Sequence, residues 1–202
     1  MKIITGTEYD LFLSTLDPIR ICGTDEAGRG PLAGPVYAAA AVLPADFPFS
    51  CLDDSKKLSE KEREEAEVLI KRYATAWSVA FATHIEIDRI NILQASMLAM
   101  KRAVQKIDRT LFSCVLADGN KAPVLDDCSI QVMPIIKGDA LIPQIMAASI
   151  LAKTARDRFM ISCDRKWPQY GYASHKGYPT AAHKAAVCEF GPSPIQRMTF
   201  HV

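Results

Sequence analysis

Apolar residues in the first fifth of the chain gather in two short runs. Ile19 to Thr24 predicts a buried strand, and Val36 to Leu43, rich in alanine and stopped by Pro44, predicts a second. The Gly/Pro-rich stretch Gly28 to Pro35 between them predicts a hairpin connection. The period then changes. Ser59 with Glu62 makes a capping-box pattern, and Ala66, Leu69, Ile70 and Tyr73 form one apolar face of the helix that follows. Trp77 to Ile85 reads as a third strand. Asn91 with Gln94 resembles another N-cap, opening a helix that runs to about Ile107. Cys114 to Ala117 and Ile130 to Ile136 are two further short strands. Leu141, Ile145, Ala148, Ala152, Ala155 and Phe159 step by four and three, giving a helix whose small-residue centre suits close packing on a sheet. Pro143 is tolerable only in its first turn. A short helix near Thr180 to Glu189 and an irregular end with Pro192 and Pro194 follow. Strands first, then alternating helices and strands, predict an α/β fold with a mixed sheet flanked by helices.

The chain has 202 residues, which predicts one domain over 1–202, with about 165–202 as a helical and irregular C-terminal appendage. Nothing approaches the ~18 apolar residues of a membrane span, and Met1-Lys2-Ile3-Ile4 is soon followed by Glu8 and Asp10, unlike a signal peptide. A cytoplasmic monomer without a membrane partner is the expectation. Six dispersed cysteines form no C-x-x-C pair, so they read as reduced thiols rather than a zinc site. Net charge is +1, but Lys and Arg outnumber Asp and Glu by 9 to 4 over residues 137–202, against 15 to 19 before them. Three of the four histidines lie there too. That asymmetry can leave a basic stripe for nucleic acid on a neutral protein.

The chemistry concentrates at strand ends. Asp25-Glu26 follow the first strand, Asp118 the fourth and Asp139 the fifth. Neighbouring strands lie ~5 Å apart, so such acids can converge, and a divalent cation would relieve their repulsion. Because alternate strand residues face opposite sides, Asp25 and Glu26 can both join one site only if the strand ends or bends there. Gly28-Arg29-Gly30 lets backbone approach a phosphate or ribose closely. Gly28 to Ala33 also fits G-x-G-x-x-A, but Pro31 and Pro35 intervene and a strand follows, against a dinucleotide fold. Tyr178 offers a ring and a hydroxyl to a base or sugar. Lys56, Lys57, Lys153, Lys176 and Lys184 are candidate phosphate contacts. Asp53, Asp54, Asp126 and Asp127 read as solvated loop acids.

Asp25-Glu26-Ala27-Gly28-Arg29-Gly30, Asp54-Ser55-Lys56-Lys57-Leu58-Ser59, Asp118-Gly119-Asn120, Lys137-Gly138-Asp139 running into Ala147 to Lys153, and His175-Lys176-Gly177-Tyr178-Pro179 form an ordered set. Together they resemble ribonuclease HII from about Gly23 to Phe200. The resemblance implies a ribonuclease H-like fold with a helical C-terminal appendage. It implies an endoribonuclease that cleaves the RNA strand of RNA–DNA hybrids and incises 5′ of ribonucleotides in duplex DNA, leaving 3′-hydroxyl and 5′-phosphate ends. It assigns Asp25, Glu26, Asp118 and Asp139 as catalytic ligands of Mg²⁺ or Mn²⁺. Gly28, Arg29 and Gly30 with Tyr178 would recognise the ribonucleotide, with Lys56, Lys57, Lys153 and Lys176 as further substrate contacts. Asp157 recurs in the family but reads as structural, paired with Arg156 or Arg158. Ile195 to Phe200 resembles the family's terminal segment and, weakly, a sliding-clamp peptide. The alternatives are a ribonuclease HIII-type nuclease or a non-catalytic duplex-binding module. The former usually carries an N-terminal domain for which about 18 residues before the first strand are too few, and a Glu at 139 would have favoured it.

Overall fold

A computed structural model describes residues 15–53, 55 and 58–200. Five strands, β1 (Ile21–Ala27), β2 (Val36–Val42), β3 (Ala76–Ala82), β4 (Cys114–Asp118) and β5 (Gln131–Ile135), form one sheet in the order β3-β2-β1-β4-β5. β1 and β2 are antiparallel, as are β2 and β3, while β4 runs parallel to both β1 and β5. The expected mixed sheet flanked by helices is therefore present.

The alanine-rich β2 is buried on both faces, so helices must cover both. On one face Ala38, Ala40 and Val42 meet Ala95, Ala99, Met100 and Ala103 of α2 (His84–Gln105). On the other, Ala39 and Ala41 meet Ala147, Ala148 and Leu151 of α4 (Pro143–Lys166), with Ala66 and Ile70 of α1 (Glu60–Tyr73) outside them. Ser59 and Glu62 make the anticipated capping box on α1.

Three expectations need correction. β3 stops at Ala82, because Thr83 and Glu86 form a second capping box that starts α2 at His84, so Ile85 is helical. Asn91 does cap helix, its Oδ1 accepting from the Gln94 N–H at 3.1 Å, but inside α2, where its φ of 66° breaks the helix into two segments. Leu141 lies exposed in the separate short α3 (Gly138–Leu141) rather than in the α4 stripe. α4 starts at Pro143, in the first-turn position that proline tolerates.

Beyond α4 come the short α5 (Tyr172–His175) and α6 (Ala181–Phe190), packed around Tyr170, Tyr172 and Met160. The chain then returns to the β1–β2 connection, where Ala33 bridges Gln196.

α4 reaches β1 through Gly23. A Cβ there would lie 2.3 Å from the Gln144 carbonyl carbon and 2.4 Å from the Ile145 nitrogen, both rigid helix backbone. Gly23→Ala should therefore cost about 1–3 kcal/mol of folding stability or more, read as a lower urea midpoint at unchanged slope. A variant as stable as wild type would mean that α4 does not sit against β1.

Candidate active site

The parallel pairing of Ile21–Thr24 with Cys114–Ala117 makes Asp25 and Asp118 the next positions on adjacent strands. Asp25 has the parity of Gly23, and Asp118 that of Leu116, which packs with Ile145, so both face α4. Asp139 arrives by another route. It follows β5 but sits in the first turn of α3, after Lys137 turns the chain at φ 58°. Its N–H donates to Asp118 Oδ1 at 3.2 Å. One carboxylate oxygen from each of Asp25, Asp118 and Asp139 lies within 4.8 Å of the others.

Glu26 is not part of that trio. The strand neither ends nor bends before it: β1 continues to Ala27, and the Glu26 N–H donates to Asp25 Oδ1 at 2.6 Å. Its carboxylate nevertheless lines the same groove, together with Asp25, Asp118, Gly28, Arg29, Gly30, Ser55, Ser149, Lys153 and Tyr178. Arg29 holds Oε1 at 3.3 Å, while Oε2 is buried with no hydrogen-bond partner among the described residues.

Burial, then the charges of Glu26 and Asp118, push the Asp25 carboxyl well above the usual range, although Ser149 stabilises its ionised form. Burial also raises Glu26; the Arg29 guanidinium opposes the rise and Asp118 adds to it. Concentrated negative charge, all-oxygen donors and an orphaned buried oxygen fit a hard divalent cation, which would satisfy that oxygen and offset the repulsion.

The residues expected to recognise the ribonucleotide gather at the groove's other wall. Gly28 has φ 101°, and a Cβ on it would lie 2.0 Å from Arg156 Nε, so both backbone and space demand glycine. Gly30 faces Tyr178, whose ring edge would be 3.6 Å from an added Cβ. Tyr178 is 40 % exposed, with the Lys153 ammonium and the Arg156 guanidinium each 5.9 Å from its ring centre. The Leu32 N–H donates to the Gly177 carbonyl at 2.8 Å and ties the two loops together.

The lysines divide. Lys153 lines the groove but also pairs with Asp157 at 2.9 Å. Lys176 turns its ammonium to the Ala173 carbonyl, and Lys184 is on the exposed side of α6. Lys56, Lys57 and Asp54 lie outside the described residues. Asp157 is structural in its contacts, but its partners are Lys153 and Arg63, because Arg158 pairs with Glu67 and Arg156 with the Ala33 and Pro35 carbonyls. Asp126 and Asp127, though exposed, are ion-paired with Lys101 and Arg109. Ile195, Gln196 and Arg197 are buried, so these residues are no free peptide. Ser55, Ser149, Arg156 and Arg197 were not anticipated at the site. Ser55 and Ser149, each inside a quoted motif, had a local signal.

Residues 22–202 match the family model for ribonuclease HII. The chain is 53 % identical over 180 residues to ribonuclease HII of Dechloromonas aromatica, covering 89 % of this chain and 90 % of that one. The chain belongs to the ribonuclease HII family. A second member, from Laribacter hongkongensis, is 54 % identical over 183 residues, covering 90 % of each. Among solved structures, the ribonuclease H2 of Pyrococcus horikoshii superposes with a TM-score of 0.71 at 25 % identity, covering 90 % of this chain and 93 % of that one. Bst-RNase HIII in complex with Mn²⁺ shares the fold, with a TM-score of 0.76 at 18 % identity over 93 % of this chain and 68 % of that one. Sequence, rather than fold, thus separates type HII from type HIII.

If the carboxylates form a cation site, Asp118→Asn should fold, and in EDTA melt no lower than wild type, since it removes one of several repelling charges. The rise in melting temperature that Mn²⁺ gives wild type should shrink sharply in the variant. An undiminished rise in Asp118→Asn would exclude Asp118 as a ligand.

Proposed function

We propose that the groove at the C-terminal ends of β1 and β4 is where this chain hydrolyses phosphodiester bonds next to ribonucleotides. The protein is a metal-dependent endoribonuclease acting on RNA–DNA hybrids, as its family membership establishes. The proposal adds the residues, the ends produced and the second substrate, duplex DNA with embedded ribonucleotides cut on the 5′ side. The observation that carries it is the convergence of Asp25, Asp118 and Asp139 within 4.8 Å, in a groove whose wall is the Gly28–Gly30 backbone and Tyr178.

Asp25, Glu26, Asp118 and Asp139 would hold Mg²⁺ or Mn²⁺. Such ions, when bound, lower the pKa of water and stabilise a leaving oxygen. The chain's own residues do the rest. Ser149 orients Asp25, the Asp139 N–H orients Asp118, and Arg29 steers one oxygen of Glu26 while leaving the other for the cation. The backbone at Gly28–Gly30 meets the ribose 2′-hydroxyl, the group that distinguishes RNA from DNA. The Tyr178 ring stacks beside it, and Lys153 lends positive charge to that wall.

The 2′-hydroxyl is read rather than used as the nucleophile. That alternative needs an acid–base pair, usually histidines. His175 and His183 stack on each other 4.6 Å apart and bond backbone carbonyls, and no described histidine lines the groove. The whole chain is read as one catalytic unit, because its C-terminal segment closes on the β1–β2 connection. Among the described residues no helix is long and apolar enough to cross a membrane.

The test is a DNA duplex carrying one ribonucleotide, incubated with Mg²⁺ or with EDTA, its products identified by mass spectrometry. A nick on the 5′ side with 3′-hydroxyl and 5′-phosphate ends, only with metal, is expected. A 2′,3′-cyclic phosphate or full activity in EDTA would exclude the mechanism. Asp25→Asn should abolish the nick while the protein still folds. Tyr178→Ala should lose roughly tenfold to hundredfold in junction cleavage, the ~1–3 kcal/mol of one stacking contact, with little change in melting temperature. A large fall in melting temperature with normal cleavage in the cold would mark Tyr178 as a core residue instead.

A further inference from the structure

Arg197 is fully buried, and its hydrogen-bond partners are all backbone carbonyls of one loop. Nε donates to Gly34 O at 2.8 Å, Nη1 to Arg29 O at 2.9 Å and Pro31 O at 2.7 Å, and Nη2 to Gly28 O at 2.6 Å. Its own N–H donates to Leu32 O at 2.9 Å, and the Gly34 N–H donates to Ile195 O at 2.8 Å. Burial and the neighbouring Arg156 pull its pKa down to about 9, so at neutral pH it remains a cation. A buried guanidinium satisfied by four carbonyls is a costly arrangement, and it fixes the loop's orientation.

That orientation has a direct consequence. In a trans peptide the carbonyl and the following N–H point in opposite directions. Turning Gly28 O and Arg29 O onto Arg197 therefore turns the Arg29 and Gly30 N–H groups away from it, toward the side of the loop that lines the groove. Neither N–H has a hydrogen-bond partner among the described residues. They are two aimed, unsatisfied donors beside the carboxylates.

We infer that Arg197 is a positioning residue for substrate recognition. From the C-terminal segment it holds the Gly28–Gly34 loop so that the Arg29 and Gly30 N–H groups meet the ribose 2′-oxygen. This rests on the reading of that loop as the ribose-recognition element. Lysine cannot replace it, since an ammonium has three donors and no planar fork. The segment is anchored a second time: Asp88 on α2 accepts from Met198 N at 2.9 Å, Thr199 N at 3.0 Å and Thr199 Oγ1 at 2.7 Å.

The experiment measures binding in Ca²⁺ to a duplex with one ribonucleotide and to the same duplex in all-DNA form. The readout is the ratio of the two affinities, which a purely structural role would not move. Arg197→Lys should lower that ratio about tenfold, the value of one hydrogen bond, with Mn²⁺ affinity by calorimetry unchanged. Gly30→Ala, which has room for its methyl but blocks approach to the loop, is measured alongside. If Gly30→Ala collapses the ratio and folded Arg197→Lys leaves it intact, the role of Arg197 is overturned while the loop reading stands. If neither changes it, the loop reading itself fails. Should Arg197→Lys not fold, Asp88→Ala takes its place: it releases the segment from the surface, and an unchanged ratio there also overturns the inference.

Discussion

The fold turns on how closely α4 approaches the sheet. At Gly23 the helix backbone lies where even a methyl group would go, and along β2 only alanines, Ala39 and Ala41, separate the two elements. Larger side chains would lift α4 by several ångströms. At that height Ser149 would no longer reach Asp25 and Ser55, and Lys153 and Arg156 would lose the wall they share with Tyr178. The small-residue interface is therefore a positional device as well as a core. It sets the depth at which one helix delivers polar groups to a row of acids.

Those acids are in tension with their surroundings. Asp25 and Asp139 are buried, Asp118 is half-buried beside them, and Glu26 carries a sequestered oxygen with nothing to bond. Dense packing elsewhere supplies the stability that tolerates such strain. The same logic applies to Arg156 and Arg197, two buried cations whose described hydrogen bonds go to main-chain carbonyls. The hydrogen bonds of these two guanidinium groups go to the Gly28–Pro35 stretch, so they shape the loop.

How much was legible in the chain follows from which interactions are local. β1, β2 and β4 carry short-range signals, an apolar run closed by Asp-Glu, by Pro44 and by Asp118 respectively, and these emerge in the right order. The Ser59 cap was readable for the same reason, as was Asn91. The turn of helix before Asn91 was hidden because the alternation of β3 continues through Thr83 into Ile85. Asp139 was read as a strand-end acid because nothing in Lys137-Gly138 announces a left-handed turn into a helix. Arg197 was out of reach altogether: its bonds cross from one end of the chain to the other, and no spacing rule encodes such a return. Asp157 is different, since Lys153 stands four residues before it on the same helix, a readable spacing, and only Arg63 comes from a distant element. Glu26 shows a subtler point. A bend or an end of the strand was the condition set for it to join Asp25, yet a long side chain near the end of the central strand reaches the groove from the opposite parity.

The pairing of β1 with β4 carries a kinetic consequence. Those two strands are neighbours in space but are separated along the chain by β2, α1, β3 and α2, so bringing Asp25 beside Asp118 requires closing a long loop. Local hairpins and helices form faster than such a non-local parallel contact. A growing or refolding chain thus carries its acids apart, each an ordinary hydrated side chain, until the strand ladder closes. The carboxylate cluster therefore cannot assemble before that ladder closes.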